Sequence, residues 1–454
     1  MEPGQLVRRI WARDATLWTD SGEEQWLGWL DEPARMRALA RELSELADAA
    51  VEEFDDVVLL GMGGSSLAPE VLRRTFDATN LHVLDTTHPR TIRELESQLD
   101  LERTLFLSAS KSGSTLETRS HTDYFWEKTG GHGSQFVAIT DPGSSLEALA
   151  QERGFRAIFH GEPSIGGRYS ALSPFGIVPA ALMGIEIDEL LARAEDMAEQ
   201  CRAEDDGNPA LELGLAFGHG WLHGRDKVCI RETPGKFGLW AEQLLAESTG
   251  KDGKGLIPAP GEDPRAADRQ PAAPLIEEPL DIGGELFRWE FATAVAGHYL
   301  EINPFDQPNV QEAKDRTKQV LDSGEDPALE PESTPDVLFA QAEPGDYVCL
   351  QAFVHETAAA DAALFDLARR ARSETGCVVT TGYGPRYLHS TGQLHKGGPP
   401  TGLFLQIADD TGDELPIPGQ PFGFGRLIRA QAAGDYASLK ERGRRVARVR
   451  LEDL

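Results

Sequence analysis

Short apolar runs alternate with amphipathic stretches over the first half of the sequence. Four of these runs precede a polar or glycine-rich turn: VVLLG (57–61), LHVLD (81–85), TLFLS (104–108) and FVAIT (136–140). Helix-like segments follow them, for example at 144–152. Such alternation is typical of βαβ units, in which helices cover both faces of a parallel sheet. The pattern therefore predicts an α/β fold with a doubly wound, mainly parallel sheet.

A second α/β region is predicted after residues 203–210, where the charged stretch AEDDGNPA indicates a domain boundary. Its elements alternate in type: strand-like 226–232, helix-like 238–248, strand-like 256–261, helix-like 284–298 and strand-like 299–305. Residues 258–283 and 321–345 are rich in Pro, Asp and Glu, so we expect them to be surface connections.

The C-terminal part repeats the alternation from about residue 346. Its elements are strand-like YVCLQAF (347–353), a helix at 357–373, strand-like CVVTTGY (377–383) and TGLFLQI (401–407), and a basic helix around YASLKERGRRVARVR (436–450). We therefore predict three parts. Residues 1–205 contain the first domain, 206–335 the second, and 336–454 form an α/β segment packed on or completing the second.

The net charge of the chain argues against two classes of binding partner. The 454 residues include 75 Asp and Glu against 44 Lys and Arg, which gives a net charge of −31. Nucleic acids and anionic membranes bind basic faces, so neither is expected as a partner. The acidic excess is interpreted as a strongly hydrated surface, and the basic C-terminal helix as a solvated face.

Cysteine usage and hydropathy indicate a cytoplasmic protein. None of the four cysteines, Cys201, Cys229, Cys349 and Cys377, lies in a CxxC pair. Buried reduced thiols are therefore expected rather than disulfides or a zinc site. The chain starts without a signal-peptide core, and no apolar run is long enough to span a bilayer.

The turn after the first strand, GMGGSS (61–66), is a candidate anion site. In an open parallel sheet, ligands bind at the carboxyl ends of strands, where the N–H groups of the following helix favour an anion. Glycines let the backbone approach a ligand, and Ser65 or Ser66 adds a hydroxyl donor. The turn lacks the third glycine of a dinucleotide fingerprint and the lysine of a P-loop. A tight turn capped by a serine is the alternative.

Two further stretches strengthen the anion hypothesis. LSASKSGSTLET (107–118) is a second strand end dense in hydroxyls, which suits a phosphate, although a lone turn of this kind is often a loop with capping serines. Two such turns in one sheet favour a phosphate site. In SIGGRYSALSPFG (164–176), two glycines allow Arg168 to enter a cleft and stabilise oxyanion charge. A structural ion pair is the equally weighted alternative for Arg168.

Five motifs, in this order, resemble glucose-6-phosphate isomerase (phosphoglucose isomerase): GMGGSSLAP, SKSGSTLET, GGRYSALSPFG, the glutamate of LLAESTGK (244–251) and EINPFDQPNVQEAK (301–314). The resemblance covers roughly residues 50–320 and implies two sugar-isomerase (SIS-type) domains, each a doubly wound sheet flanked by helices. RIWARDATLW near the start and the C-terminal half are similar to the isomerase part of bifunctional transaldolase/phosphoglucose isomerases.

The resemblance implies a role for each matching residue. The phosphate site would consist of small and hydroxyl residues around one lysine: Gly64, Ser65, Ser110, Lys111, Ser112 and Thr115. Arg168, after Gly167, matches the arginine that steadies the enediolate, and Glu247 matches the catalytic base. Gln307 and Lys314 match the FDQ signature, whose lysine helps to handle the sugar ring. The resemblance also implies a sugar-phosphate substrate, no cofactor, no metal and a homodimer.

The ring-opening histidine departs from the family pattern. It normally lies between the base and the FDQ signature, where this chain has only His298 in a stretch unlike the usual histidine loop. The polar loop YLHSTGQLHKGGP (387–399) carries His389 and His395. A histidine on a polar loop is a better acid–base candidate than one on an apolar face, so His389 is favoured. Alternatively His389 is structural, and Lys314 or water opens the ring.

The predicted function is reversible interconversion of D-glucose 6-phosphate and D-fructose 6-phosphate through a cis-enediol. This chemistry needs one carboxylate base over two carbons and cationic or N–H groups at the oxygens. One alternative is an isomerase that also accepts mannose 6-phosphate. Another is a non-catalytic sugar-phosphate sensor, which would keep the phosphate turns without needing Glu247 or Arg168.

Overall fold

Helices and parallel strands alternate along most of the chain. The structure, a computed structural model, describes residues 2–324, 326–409 and 412–454, and the side chains of all of these except 310–313. The helices are α1 Pro3–Trp11, α2 Glu32–Arg37, α3 Ala40–Glu53, α4 Leu67–Thr75, α5 Pro89–Gln98, α6 Leu116–Lys128, α7 Ser145–Glu152, α8 Pro174–Leu182, α9 Ile187–Gln200, α10 Pro209–Leu222, α11 Gly238–Thr249, α12 Ile282–Leu300, α13 Val310–Asp322, α14 Pro335–Phe339, α15 Ala358–Thr375, α16 Gly392–Gly397 and α17 Phe424–Glu441. The strands are β1 Asp56–Gly61, β2 Leu81–Leu84, β3 Thr104–Ala109, β4 Phe136–Thr140, β5 Ala157–His160, β6 Lys227–Ile230, β7 Ile257–Pro260, β8 Arg269–Ala272, β9 Tyr347–Phe353, β10 Val378–Tyr383, β11 Gly402–Ala408 and β12 Arg445–Val449.

The first sheet is parallel and buried on both faces. Its five strands lie in the order β2-β1-β3-β4-β5. Successive side chains of β1 point to opposite faces, so Val57 and Leu59 join one hydrophobic cluster while Val58 and Leu60 join another. A strand with two apolar faces needs helices on both, which explains its continuous hydrophobic run. The predicted doubly wound α/β sheet is confirmed here.

Two smaller parallel sheets form the rest of the α/β structure, in the orders β7-β6-β8 and β10-β9-β11-β12. One buried cluster joins them, since Cys229 and Ile257 pack with Tyr347, Val378 and Phe404. This shared core favours the proposal that 336–454 pack on or complete the second domain. The boundaries at 205 and 335 remain a proposal.

Three local predictions are wrong. The basic segment at 436–450 is not one helix, because α17 ends at Glu441 and Gly443, with φ +67°, turns the chain into β12. The stretch 299–305 is not a strand, because Glu301 ends α12 in the left-handed conformation and Pro304 lacks a ladder donor. The connection at 258–283 contains β8.

The cysteines are buried and reduced, as predicted from their spacing. Within the described ranges, every helix is either too short or too polar to cross a lipid bilayer. In the same ranges, no group of three or more His, Cys, Asp or Glu side chains is arranged to hold a metal ion.

Candidate active site

The glycine turn after β1 lies where three segments meet. Residues Gly63–Ser65 form a short 3-10 turn between β1 and α4, and Gly63 has a φ of +55°. A Cβ atom on Gly63 would lie 2.4 Å from the carbonyl oxygen of His389, and one on Gly64 would lie 2.0 Å from that of Gly167. Only glycine permits this approach. The turn therefore brings Ser65 next to the segments that carry Arg168 and His389.

The hydroxyl turn after β3 lies beside the glycine turn. β1 and β3 pair in parallel with Gly61 opposite Ala109, so their carboxyl ends meet at one edge of the sheet. Ser110 Oγ donates to Thr115 Oγ1 at 3.0 Å, and Thr115 directly precedes α6. Ser112 is more exposed and bonds the hydroxyl of Ser114 at 3.0 Å. Two helix N-termini and several hydroxyls thus converge, which suits an anion.

Lys111 does not point its ammonium group into this turn. Its Nζ contacts both carboxylate oxygens of Asp141 at 2.7 Å and donates to the carbonyl of Glu162 at 2.9 Å. An ammonium group has three donors, and this arrangement uses all three. The contacts favour a structural role for Lys111 over the predicted role in substrate binding.

Arg168 is a buried cation held by neutral oxygens. It lies in the 3-10 turn Gly167–Tyr169, and only 1% of its surface is exposed. Its Nε donates to Ser248 Oγ at 2.8 Å, and its Nη1 donates to Gln307 Oε1 at 2.9 Å. Two backbone carbonyls, of Pro304 and Asp306, accept from Nη2 at 2.8 Å each. The structure therefore brings the predicted pair Arg168 and Gln307 into contact.

Glu247 lies in the last turn of α11, next to that guanidinium. Its Oε1 is 3.5 Å from Arg168 Nη1. Its Oε2 accepts at 2.9 Å from Gln243 Nε2, which also donates to the carbonyl of His389 at 3.0 Å. Gln243 therefore ties the predicted base to the histidine segment. Sequence reasoning missed Gln243, although its i, i+4 spacing from Glu247 on a helix was a usable signal.

Lys251 is a second residue that the sequence analysis missed. It is buried, and its Nζ donates at 2.6 Å to the carbonyls of Asn303 and Asp306 and to the Asp306 carboxylate. Burial and the nearby Arg168 lower the pKa of Lys251 to about 8, against the opposing effect of Asp306. These bonds hold the loop from which Gln307 reaches Arg168.

His389 is paired with a buried carboxylate. It ends the 3-10 turn Arg386–His389, and its Nε2 lies 2.8 Å from Glu117 Oε1. Burial would raise the pKa of Glu117, but the charge and hydrogen bond of His389, with a contribution from Lys314, lower it to about 2. Sequence reasoning missed Glu117, although it belongs to the same SKSGSTLET motif as Thr115.

A cavity of about 440 Å³, called here the His389 cavity, lies beside this pair. Its lining includes Thr115, Glu117, Lys314, His389 and Gln431. Lys314 is exposed and forms no hydrogen bond or close ion pair with any residue in the described ranges. The structure thus brings Thr115, Lys314 and His389 of the predicted set to one cavity.

His395, the alternative histidine, lies in the core. Its ring nitrogens contact Cys349 Sγ at 3.5 Å and Gln351 Nε2 at 3.2 Å, and Tyr387 and Phe404 pack on the ring. Burial lowers the pKa of His395 well below its usual range. His395 is therefore a structural residue, and this finding favours His389.

Part of the chain is similar to known proteins. Residues 30–216 match the phosphoglucose isomerase family model. The glucose-6-phosphate isomerase of Acaryochloris marina (strain MBIC 11017) is 33% identical over 270 residues, which are 55% of this chain and 50% of that protein. The enzyme of the same name from Carboxydothermus hydrogenoformans is 34% identical over 249 residues, 50% of this chain and 53% of that protein. The chain thus spans about half the length of the curated relatives it matches.

Two solved structures share the fold. A glucose-6-phosphate isomerase from Chlamydia trachomatis aligns with a TM-score of 0.53 at 20% identity, over 70% of this chain and 78% of that one. A hypothetical protein from Thermus thermophilus aligns with a TM-score of 0.51 at 23% identity, over 99% of this chain and 83% of that one. The second alignment extends over the C-terminal part, which lies outside the family match.

Proposed function

We propose that this chain, which is phosphoglucose isomerase-like over residues 30–216, interconverts D-glucose 6-phosphate and D-fructose 6-phosphate. The observation that carries the proposal is the contact between a buried guanidinium and a helix-borne carboxylate, Arg168 and Glu247, beside two phosphate-type turns. A general base next to a fixed cation is what proton transfer through an enediolate requires.

The phosphate group is proposed to bind at the shared edge of β1 and β3. Ser65, Ser110 and Thr115 supply hydroxyl donors there, and the N-termini of α4 and α6 point the same way. Hydroxyl and N–H donors hold a dianion without a paired lysine. Since Asp141 already engages Lys111, the site as proposed does not need that residue.

The proton transfer is assigned to Glu247. Its carboxylate takes the proton from C2 of the open-chain aldose, the C–H electron pair forms the C1=C2 bond, and the carbonyl pair moves to O1 as a cis-enediolate. The hydroxyl proton of O2 passes to O1, and the same carboxyl returns the first proton to C1 as the C2=O bond forms, which yields the ketose. Arg168 stabilises the negative charge on the oxygens, because it cannot lose its own proton. Its bonds to Ser248 and Gln307 fix its position before the substrate arrives.

Ring opening is assigned to His389, with Lys314 in support. An imidazole on the cavity wall is a suitable acid or base for moving the proton between the ring oxygen and the C1 hydroxyl. The adjoining Glu117 holds the ring orientation through its bond to Nε2. The homodimer and the cytoplasmic location implied by the sequence remain predictions.

The first test is isomerisation of fructose 6-phosphate in EDTA, coupled to glucose-6-phosphate dehydrogenase, with mannose 6-phosphate as a parallel substrate. We expect NADPH formation from fructose 6-phosphate that EDTA does not diminish. A Glu247→Gln preparation, purified identically, controls for contaminating host isomerase. Tight fructose 6-phosphate binding without turnover would favour the sensor alternative, and turnover of mannose 6-phosphate would favour the relaxed isomerase.

A further inference from the structure

Gln431, on α17, contacts the carboxylate that holds His389. Its Nε2 donates to Glu117 Oε1 at 2.7 Å, and Thr87 Oγ1 donates to its Oε1 at 2.7 Å. Gln431 is 2% exposed and Thr87 is 0% exposed. The opposite amide orientation would place two acceptor oxygens in contact. The two hydrogen bonds therefore select one orientation, with the amide N–H group toward Glu117.

Gln431 holds Glu117, and Glu117 determines the proton position on His389. Glu117 Oε1 already accepts the Gln431 N–H, Lys314 lines the same cavity, and an ionised carboxylate can only accept hydrogen bonds. The proton of the neutral imidazole must then lie on Nε2, which contacts that same oxygen at 2.8 Å. Nδ1 of His389 has no hydrogen-bond partner within the described ranges.

We propose that Gln431 is a positioning residue: acting through Glu117, it holds His389 as the Nε2–H tautomer and leaves Nδ1 as the nitrogen that exchanges protons with a sugar. The consequence for turnover rests on the proposed isomerase function, whereas the tautomer does not. Gln431 and Glu117 are 314 residues apart in sequence. The C-terminal part, which lies outside the family match at 30–216, thus supplies both His389 and the residue that positions it.

The test uses the full chain with ¹⁵N-labelled histidine and measures the NMR signals of the ring nitrogens of His389. These signals are assigned as the ones that disappear in His389→Asn. We expect the wild type to carry the proton on Nε2. In Gln431→Met, which keeps the volume but removes the donor, the Glu117 carboxylate can turn away from His389 Nε2, so we expect both tautomers. We also expect a kcat about tenfold lower with KM within about twofold, because a charge-assisted hydrogen bond is lost.

Gln270→Met is the matched control. Gln270 is a buried glutamine on β8 that donates to the carbonyl of Arg225 at 2.6 Å, and none of its hydrogen bonds within the described ranges involves Glu117, His389 or α17. This variant should leave the tautomer of His389 and the KM unchanged. If Gln431→Met does not fold, Thr87→Val tests the same hydrogen-bond chain, since it removes the second bond that fixes the Gln431 side chain, weakens its hold on Glu117 and should populate the second tautomer.

Two results would overturn the proposal. One is an Nδ1–H tautomer in the wild type, and the other is an unchanged tautomer in a folded Gln431→Met or Thr87→Val protein. Failure of the proposed function looks different. In that case the wild type shows the Nε2–H tautomer and its loss in Gln431→Met, but no preparation turns over fructose 6-phosphate.

Discussion

Two cavities share the segment 386–391 as a wall, yet only one has the character of an active site. The His389 cavity measures about 440 Å³. The other, called here the Glu242 cavity, measures about 710 Å³ and is lined by Glu242, Arg386 and Tyr387 among others. Glu242 is the neighbour of Gln243 on α11, so the helix that lines the larger cavity also bonds the backbone carbonyl of His389. Of these two, volume alone would favour the Glu242 cavity as a ligand site.

The difference lies in the partners of the charged groups. In the Glu242 cavity, Arg74 pairs with Glu70, Arg372 with Glu262, and Arg386 with Asp85. These three arginines are therefore engaged within the protein rather than turned toward a ligand. In the His389 cavity, Glu117 and Gln431 fix the position of His389, while His389 Nδ1 and the Lys314 ammonium make no hydrogen bond within the described ranges. Donors and acceptors that make no hydrogen bond within the protein, and that a buried network holds in place, therefore indicate a binding site better than cavity volume does.

The largest expected difference is between two glutamates of α11. Glu247→Gln should lower kcat by about a thousandfold or more, because it removes the general base, and should leave fructose 6-phosphate binding within a few-fold. Glu242→Gln should leave kcat within about twofold. The coupled assay and isothermal titration measure both. Substantial turnover in Glu247→Gln would show that Glu247 is not the general base, and the contrast between Glu247 and Glu242 would no longer hold.

The two histidines of the 387–399 loop should separate chemistry from stability. His389→Asn should slow conversion of the cyclic sugar about a hundredfold, with a smaller effect on exchange of the C2 proton with deuterated solvent. His395→Asn should instead lower the free energy of unfolding by about 1–3 kcal/mol, since it disturbs its buried contacts with Cys349 and Gln351. Chemical denaturation measures the second effect. If His395→Asn slows turnover and His389→Asn lowers only stability, His395 rather than His389 is the active-site histidine.

The two lysines carried over from the family should also differ. Lys314→Met should lower kcat/KM for fructose 6-phosphate about tenfold with little change in stability, because Lys314 is exposed and faces the cavity. Lys111→Met should lower stability by about 1 kcal/mol, because it leaves Asp141 without its ion pair. A large KM increase in a stable Lys111→Met protein would instead return Lys111 to the phosphate site.

Glu242 should also make the stability of the protein depend on pH. Burial and the nearby Glu232 raise the pKa of Glu242 to about 8 from an ordinary value of 4.5. Below the lower value the folded and unfolded states are both protonated. Between the two values only the unfolded state ionises, so stability falls as pH rises and levels off above about pH 8.

Glu242→Gln removes this penalty. The variant should match the wild type near pH 4.5 and exceed its free energy of unfolding by about 1–3 kcal/mol near pH 8. Urea denaturation across this pH range measures the difference. A gap that stays constant with pH would show that Glu242 is ionised in the folded protein and that the Glu242 cavity carries more unpaired charge than inferred here.

The phosphate edge of the site was predictable from sequence. The turns at 61–66 and 107–115 follow two strands of a doubly wound sheet, and such strands end at the same edge. The pairing of Gly61 with Ala109 confirms their proximity. The contact of Arg168 with Gln307 was not readable from spacing, and only the resemblance implied that both belong to the site.

The sequence by itself determined the α/β alternation, the strand-end turns and the residue types needed for isomerase chemistry, because these depend on local periodicity and on short contiguous motifs. Only the tertiary structure decided that Lys111 is engaged by Asp141, that His395 lies in the core, and that Gln431 supports Glu117 and His389. Each of these outcomes depends on which distant side chain occupies the adjoining space. No local pattern encodes that, since the partners are brought together only when helices and sheets pack.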